Sequence, residues 1–234
     1  MSSQFRFKQF AVEQSGVAMK VGTDGVLLGA WVAFRGDERR VLDIGTGTGV
    51  IALMAAQRSA AEYIAGVDVD EASAQRAAAN FAASPWSGRL HACASPIQDF
   101  AADEPFDLII SNPPYFVDSL LSPDKRRTAA RHTASLPFDE LDAAVRRLLS
   151  PDGRAALILP TEQMDDFASI TSLRMIRRCD VRSVPDGAVK RVMAEFARSA
   201  TDVMRREELV IETCERGVFS DEYRRLTKDF YLKF

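Results

Sequence analysis

Short apolar runs alternate with helix-like stretches along most of the chain. Residues 41–44, 63–69, 90–94, 106–110 and 154–160 are runs of mostly apolar residues, the pattern of buried strands. Between them, 50–57 and the alanine-rich 72–81 read as helices, and Ser84-Pro85-Trp86 ends the second. Residues 138–149 read as an amphipathic helix, with Pro151-Asp152-Gly153 as the turn into the next strand. The stretch 21–31 opens with turn chemistry and continues as an apolar helix that Thr23 or Asp24 would cap. Residues 5–10 alternate aromatic and polar side chains, as an edge strand or hairpin arm does. Further on, 164–172 reads as a helix. Residues 175–184 and 192–199 read as an antiparallel hairpin, and 209–213 as a further strand. The tail, 223–234, spaces Leu226, Phe230, Tyr231 and Phe234 among charges and is expected to pack back on the domain. Strands alternating with helices predict an α/β fold.

A chain of 234 residues is long enough for one α/β domain with a sizeable core. Its hydrophobic share of 47% and charged share of 27% are those of a globular protein. No apolar run approaches a membrane span, and the first ten residues lack the apolar stretch of a secretory signal. Cys93, Cys179 and Cys214 are far apart and form no CxxC or metal-ligand pattern. Reduced thiols, a cytoplasmic location, no membrane partner and no metal are the expectation. Net charge is −3, so nucleic-acid binding would have to rest on a local basic patch.

The densest chemistry follows the 106–110 run, in Ser111-Asn112-Pro113-Pro114-Tyr115-Phe116. Proline has no N–H, and each proline holds the residue before it extended. The segment is therefore stiff and rich in acceptors. Asn112 Oδ1 and the Pro113 carbonyl are two fixed acceptors, with the flat face of Tyr115 beside them. Two acceptors and a stacking face suit a planar NH2 group such as an adenine amine or a glutamine amide. Accepting from both N–H bonds favours attack by that nitrogen and stabilises the charge it develops. The competing reading is a strand-ending turn.

Gly45-Thr46-Gly47-Thr48-Gly49 lies between the 41–44 strand and the next helix. Glycines there admit a tight turn and let a ligand approach the backbone. The spacing is G-x-G-x-G, not the dinucleotide G-x-G-x-x-G. Asp43, two residues before the first glycine, suits an ammonium group. Asp68 ends the next strand, where doubly wound folds place a ribose-binding carboxylate. Asp70 and Glu71 suit the start of the following helix. Asp99, after the third strand, either accepts from an adenine amine or caps a turn. Lys20 to Asp24, with Thr23 between, either starts a helix over the core or closes over a cofactor. Lys125, Arg126, Arg127, Arg131 and His132 form the local basic cluster, read either as a solvated face or as a phosphate-contacting loop. His91 begins a strand and reads as structural.

Taken together, the stretches FRFKQF from Phe5, MKVGTDGVLLGAW from Met19 and VLDIGTGTGVIAL from Val41 resemble one bacterial family. So do NFAASPW from Asn80, NPPYF from Asn112, ARHT from Ala130 and LTKDFYLKF from Leu226. These are the tRNA(Val) adenine-N6 methyltransferases, which are class I S-adenosylmethionine-dependent enzymes acting on adenine 37, just 3′ of the anticodon. NPPY alone is shared with glutamine and DNA adenine methyltransferases; the KVGTDGVLLGAW and SPW elements are more specific.

The resemblance implies a Rossmann-like, seven-stranded, mostly parallel sheet with helices on both faces, six strands parallel and an antiparallel last one. It implies a single methyltransferase domain over 1–234, with 1–38 an accessory segment and 39–234 the catalytic core. S-adenosylmethionine would be the cofactor and tRNA the partner. Asn112, Pro113, Pro114 and Tyr115 would be catalytic. Lys20, Thr23, Asp24, Asp43, Gly45, Gly47, Gly49, Asp68, Asp99 and Asn112 would form the cofactor site. Tyr115, Phe116 and the basic cluster would meet RNA. Ser95 departs from the acidic residue that many class I enzymes carry after strand three, which leaves the cofactor's adenine to Asp99 or to backbone groups. A protein glutamine N5-methyltransferase is the runner-up, disfavoured because only about forty residues precede Val41, too few for the usual leading helical domain. A non-catalytic RNA-binding module is the alternative from another class.

Overall fold

The computed structural model describes residues 4–17, 19–114, 136–199 and 203–233. Strands β1 (Gln4–Arg6) and β2 (Ala11–Glu13) form a separate antiparallel hairpin; of the arm expected over 5–10 only Phe5 and Arg6 are strand, and Phe7 to Phe10 make the connecting turn. Helix α1 (Thr23–Trp31) follows, then β3 (Arg40–Ile44), α2 (Val50–Arg58), β4 (Tyr63–Asp68), α3 (Glu71–Ala82), β5 (Leu90–Ala94) and β6 (Phe106–Ser111). Helix α4 (Phe138–Leu148) runs straight into β7 (Leu149–Leu159), which is followed by α5 (Thr161–Ile170). Strands β8 (Arg174–Arg182), β9 (Val189–Ala197) and β10 (Arg205–Val210) precede helix α6 (Asp221–Thr227).

The main sheet has the order β10-β8-β9-β7-β6-β3-β4-β5. It holds eight strands where seven were expected. Only β9 is antiparallel to its neighbours, and the last strand, β10, pairs parallel with β8 rather than closing the sheet in reverse. The strand expected at 209–213 lies earlier: β10 ends at Val210, so only Leu209 and Val210 of that stretch belong to it, and its first four residues are charged, as the edge position of β10 allows. The expected turn at 151–153 lies inside β7. There Leu149 pairs with Phe106 but Arg154 with Leu108, so the extra residues form a bulge rather than a break.

Side chains alternate across the sheet and fill two cores. One core holds Leu27 and Leu28 of α1, Leu53 and Met54 of α2, and Phe81 of α3, together with Phe7, Phe10, Tyr223 and Phe230 from the two ends of the chain. The other holds Leu141 and Val145 of α4, Phe167 of α5, and Ile97 and Phe100. Helix α1 is buried from Gly25 to Trp31, which explains its unbroken apolar sequence. Its glycines let it lie close on α2: a Cβ at Gly29 would sit 2.7 Å from Met54 Sδ. Neither Thr23 nor Asp24 caps this helix. The N-cap is Gly22, without a side-chain bond, and Asp24 instead pairs with Arg191 of β9 at 2.8 Å.

Candidate active site

Strand order reverses between β3 and β6, the switch point at which open α/β sheets bind ligands. Register places the candidate residues there. Ile44, Val67 and Ser111 lie on one rung of the sheet, so the next residues outward are Gly45, Asp68 and Asn112. With strands about 4.8 Å apart, Asp68 and Asn112 flank the Gly-rich turn at roughly 10 Å from each other. Ser111 is buried, and its hydroxyl donates to the Ile44 carbonyl at 2.9 Å, which fixes the strand end that carries Asn112.

Gly45, Gly47 and Gly49 have φ of 71°, 54° and 82°, all in the left-handed region. A Cβ on Gly45 or Gly47 would meet nothing within 4 Å, so these two face open space above the turn. A Cβ on Gly49 would lie 2.4 Å from Phe81 Cε1, so this glycine also lets α3 pack against the turn. The turn is held from below by Gly45 and Thr46 N–H groups donating to Val67 O, at 2.8 and 3.1 Å.

Asp43 is fully buried. Its Oδ2 accepts from Thr46 Oγ1 at 2.7 Å and from Ala52 N–H at 3.2 Å, while Oδ1 has no partner among the described residues. Burial pushes its carboxyl up to about 7, against the lowering effect of those two bonds. Asp68 accepts from Gly47 N–H at 2.8 Å and from Asp70 N–H at 2.9 Å. Burial raises its pKa, and the two backbone bonds oppose the shift. Asp70 caps α3 by accepting from Ser73 N–H at 2.9 Å, the role its sequence position suggests. Asn112 Oδ1 is buried and also without a partner among the described residues. Pro113 is buried and Pro114 exposed. The first turn of α1 reaches this point, since a Cβ on Gly25 would lie 3.9 Å from Asn112 Nδ2 and 3.6 Å from Val50 Cγ1. The residue after Asp24, Gly25, therefore borders Asn112 and the start of α2, whereas Lys20 is exposed.

Two orphaned acceptors flanking an open, glycine-lined turn suit a ligand that carries an ammonium group and a substrate that carries an amine. A model of the family described as "Methyltransferase small domain" matches residues 21–129. A Parabacteroides distasonis protein named tRNA1(Val) (adenine(37)-N6)-methyltransferase is 43% identical over 98% of both chains. A Phocaeicola vulgatus protein of the same name is 45% identical over 97% of both. The chain belongs to the tRNA1(Val) (adenine(37)-N6)-methyltransferase family. The crystal structure of a predicted O-methyltransferase from Agrobacterium tumefaciens shares the fold, with a TM-score of 0.67 over 88% of this chain and 96% of that one at 18% identity.

The other expected members of the family site are Asp99 and residues beyond Pro114. Asp99 is exposed, and its carboxylate makes no hydrogen bond among the described residues, so it does not cap the turn it sits in. That turn is held by Asp99 N–H donating to Pro96 O at 3.1 Å and by Arg147 of α4, whose guanidinium donates to the Ile97 and Phe100 carbonyls at 2.8 and 2.7 Å. Ser95 turns its hydroxyl to Pro96 O at 2.9 Å. Tyr115, Phe116, Lys125, Arg126, Arg127, Arg131 and His132 lie outside the described residues. His91 stacks on Tyr63 at 4.6 Å, in keeping with a structural role.

Two residues were missed. Val69, the residue after Asp68 just past the end of β4, is 55% exposed, while in the sequence it is only the last residue of the apolar 63–69 run. Asn80, a buried asparagine within an alanine-rich helix, was the other, and nothing in its local pattern gives its partners.

Proposed function

We propose that this chain transfers a methyl group from S-adenosylmethionine to the exocyclic N6 amine of adenine 37 in tRNA(Val). The observation that carries the reading is the buried Oδ1 of Asn112, without a partner among the described residues, one residue past the β6 strand end and beside a Gly-rich turn with open space above it. Family membership over nearly the whole chain supports it. S-adenosylmethionine supplies an electrophilic methyl on a sulfonium that leaves as a neutral thioether.

The chain's residues do the rest. Asp43 Oδ1 would accept from the cofactor's ammonium. Asp68, whose oxygens each keep a further lone pair beyond their backbone bonds, would accept from ribose hydroxyls. Val69 and the Ser95–Asp99 turn would border the adenine, and the segment through Thr23 and Asp24 would close the cleft. Asn112 Oδ1 and the Pro113 carbonyl would accept from the target amine and hold it as positive charge develops. The target base must leave its stack to reach them, and Tyr115, with Phe116, would stack on it there, worth about 1–3 kcal/mol. Lys125, Arg126, Arg127, Arg131 and His132 would supply phosphate contacts that the net charge of −3 does not. The 1–38 segment would serve a catalytic core over 39–234 as one domain, acting on tRNA in the cytoplasm.

Purified protein incubated with S-adenosylmethionine and unmodified tRNA(Val) transcript should yield N6-methyladenosine at position 37 by nucleoside and oligonucleotide mass spectrometry. Methylation confined to a protein glutamine, or no methylation by a cofactor-binding protein, would overturn the reading.

A further inference from the structure

Asn80 of α3 is 4% exposed, and its amide joins three separate segments. Oδ1 accepts from Glu13 N–H at 2.9 Å, and Nδ2 donates to Glu13 O at 3.1 Å. Nδ2 also donates to Thr48 O, inside the Gly-rich turn, at 2.8 Å. The side chain thus pairs with both polar groups of one peptide residue, as a strand neighbour would, and spends its second N–H on the turn. The β1–β2 hairpin makes no ladder with the main sheet, so this amide stands in for one.

The connection continues. Glu13 ends β2, and the next side chain, Gln14, accepts from Val21 N–H through Oε1 at 2.8 Å. Val21 leads into the α1 turn whose Gly25 lies against Asn112. One line of bonded groups therefore runs from Thr48 through Asn80, Glu13, Gln14 and Val21 to the edge of the amine-binding site.

We propose that Asn80 is a positioning residue. It sets the 21–25 segment against the Gly-rich turn, so that filling the turn and placing α1 beside Asn112 are coupled. The proposal rests on the cofactor reading above, and its test separates the two. Asn80→Ala cuts the line at the turn, and Gln14→Ala cuts it at its far, half-buried end. Amide hydrogen exchange reads the 21–25 segment directly, calorimetry reads S-adenosylmethionine affinity, and thermal unfolding reads the core.

Each single variant should speed exchange at Val21 and weaken cofactor binding by about tenfold, the effect of one or two lost hydrogen bonds. The double variant should be little worse than Asn80→Ala, because both cut one line. Asn80→Asp, which keeps the acceptor and loses both donors, should resemble Asn80→Ala. Additive effects would overturn the proposal. So would an Asn80→Ala protein that melts earlier yet keeps wild-type exchange at Val21 and wild-type affinity, since that result makes Asn80 a packing residue only. A wild-type protein that binds no S-adenosylmethionine would instead overturn the cofactor reading, and exchange at Val21 would still decide the role of Asn80.

Discussion

Asn112 and Asp43 each bury an oxygen that no donor among the described residues reaches. Leaving a buried acceptor unpaired costs about 1–3 kcal/mol, a cost that persists where a ligand removes it. The two atoms divide the work. In the proposed reading Asn112 Oδ1 accepts from the target amine, so its removal should hit the chemical step more than cofactor binding. Asn112→Ala should lower the single-turnover rate by roughly 10²–10³-fold, the scale of one preorganised hydrogen-bonding group, with a much smaller loss of cofactor affinity by calorimetry. Asn112→Asp keeps acceptors and should retain partial activity. A folded Asn112→Ala protein with wild-type turnover would remove Asn112 from the chemistry. Asp43 should instead make cofactor binding depend on pH. Burial raises its carboxyl from 3.8 to about 7, so the folded protein keeps a proton that the unfolded chain has released. Its stabilising contribution is whole below 3.8 and is lost as pH rises through about 7. A cationic ligand prefers the ionised form, so affinity for S-adenosylmethionine should rise as pH climbs through about 7. It should fall again above about 8, where an α-amino group loses its own proton. Asp43→Asn should flatten the rising limb; an unchanged rise would place the titrating group elsewhere.

The glycines of the β3–α2 turn share one sequence pattern but serve two purposes. At Gly49 a side chain would be strained by a φ of 82° and would strike Phe81 at 2.4 Å; at Gly45 it would be strained at 71° but meet open space. Gly49→Ala should therefore destabilise the fold by about 2–4 kcal/mol, adding overpacking to strain. Gly45→Ala should cost only about 1–2 kcal/mol in denaturant unfolding while obstructing the cleft, so its loss of cofactor affinity should exceed its loss of stability. Equal stability losses in the two variants would contradict this division. Elements of this kind are legible when they are local. The Gly-rich turn, the Asp70 cap and the strand leading into Asn112 all follow from residues a few positions apart. The cap of α1 was not legible, because Asp24, a good capping residue by type, is drawn to Arg191, 167 positions away. The true length of β10 was hidden for a related reason. Its first four residues are charged, and only pairing with β8 makes Arg205 and Arg206 strand residues.

At the scale of the whole molecule, a cluster of buried charge lies on the α1 side of the sheet, away from the ends of β3 and β6 that carry Gly45 and Asn112. Arg154, at the start of the apolar part of β7, donates to Glu38, to Glu195 of β9 and to the Ala33 carbonyl. Glu195 also accepts from Ala33 N–H and from Arg177, and Arg177 grips Glu207 of β10 and lies 4.0 Å over the Trp31 ring. The cluster thus ties the end of α1 to the added strands β8 to β10. No pattern announced it: Arg154 reads as the end of a turn before an apolar run and Glu195 as an interruption of one, until their partners are known. Side chains of Arg154, Glu38 and Glu195 are only 3–4% exposed, so removing the guanidinium leaves carboxylates stranded. Arg154→Met, which keeps most of the apolar stem, should cost about 3–5 kcal/mol at neutral pH. Its pH dependence identifies the cause. Burial acts to raise the Glu38 carboxyl, but backbone bonds from Arg35 and Gly36 together with the Arg154 charge bring it below its usual range. Without Arg154, Glu38 should hold its proton to higher pH, so in the variant its contribution is retained at low pH and lost as pH rises. The stability gap between Arg154→Met and wild type, measured by urea unfolding, should therefore narrow from about pH 8 to pH 4. A gap of constant size across that range would mean that Arg154 contributes packing and not charge.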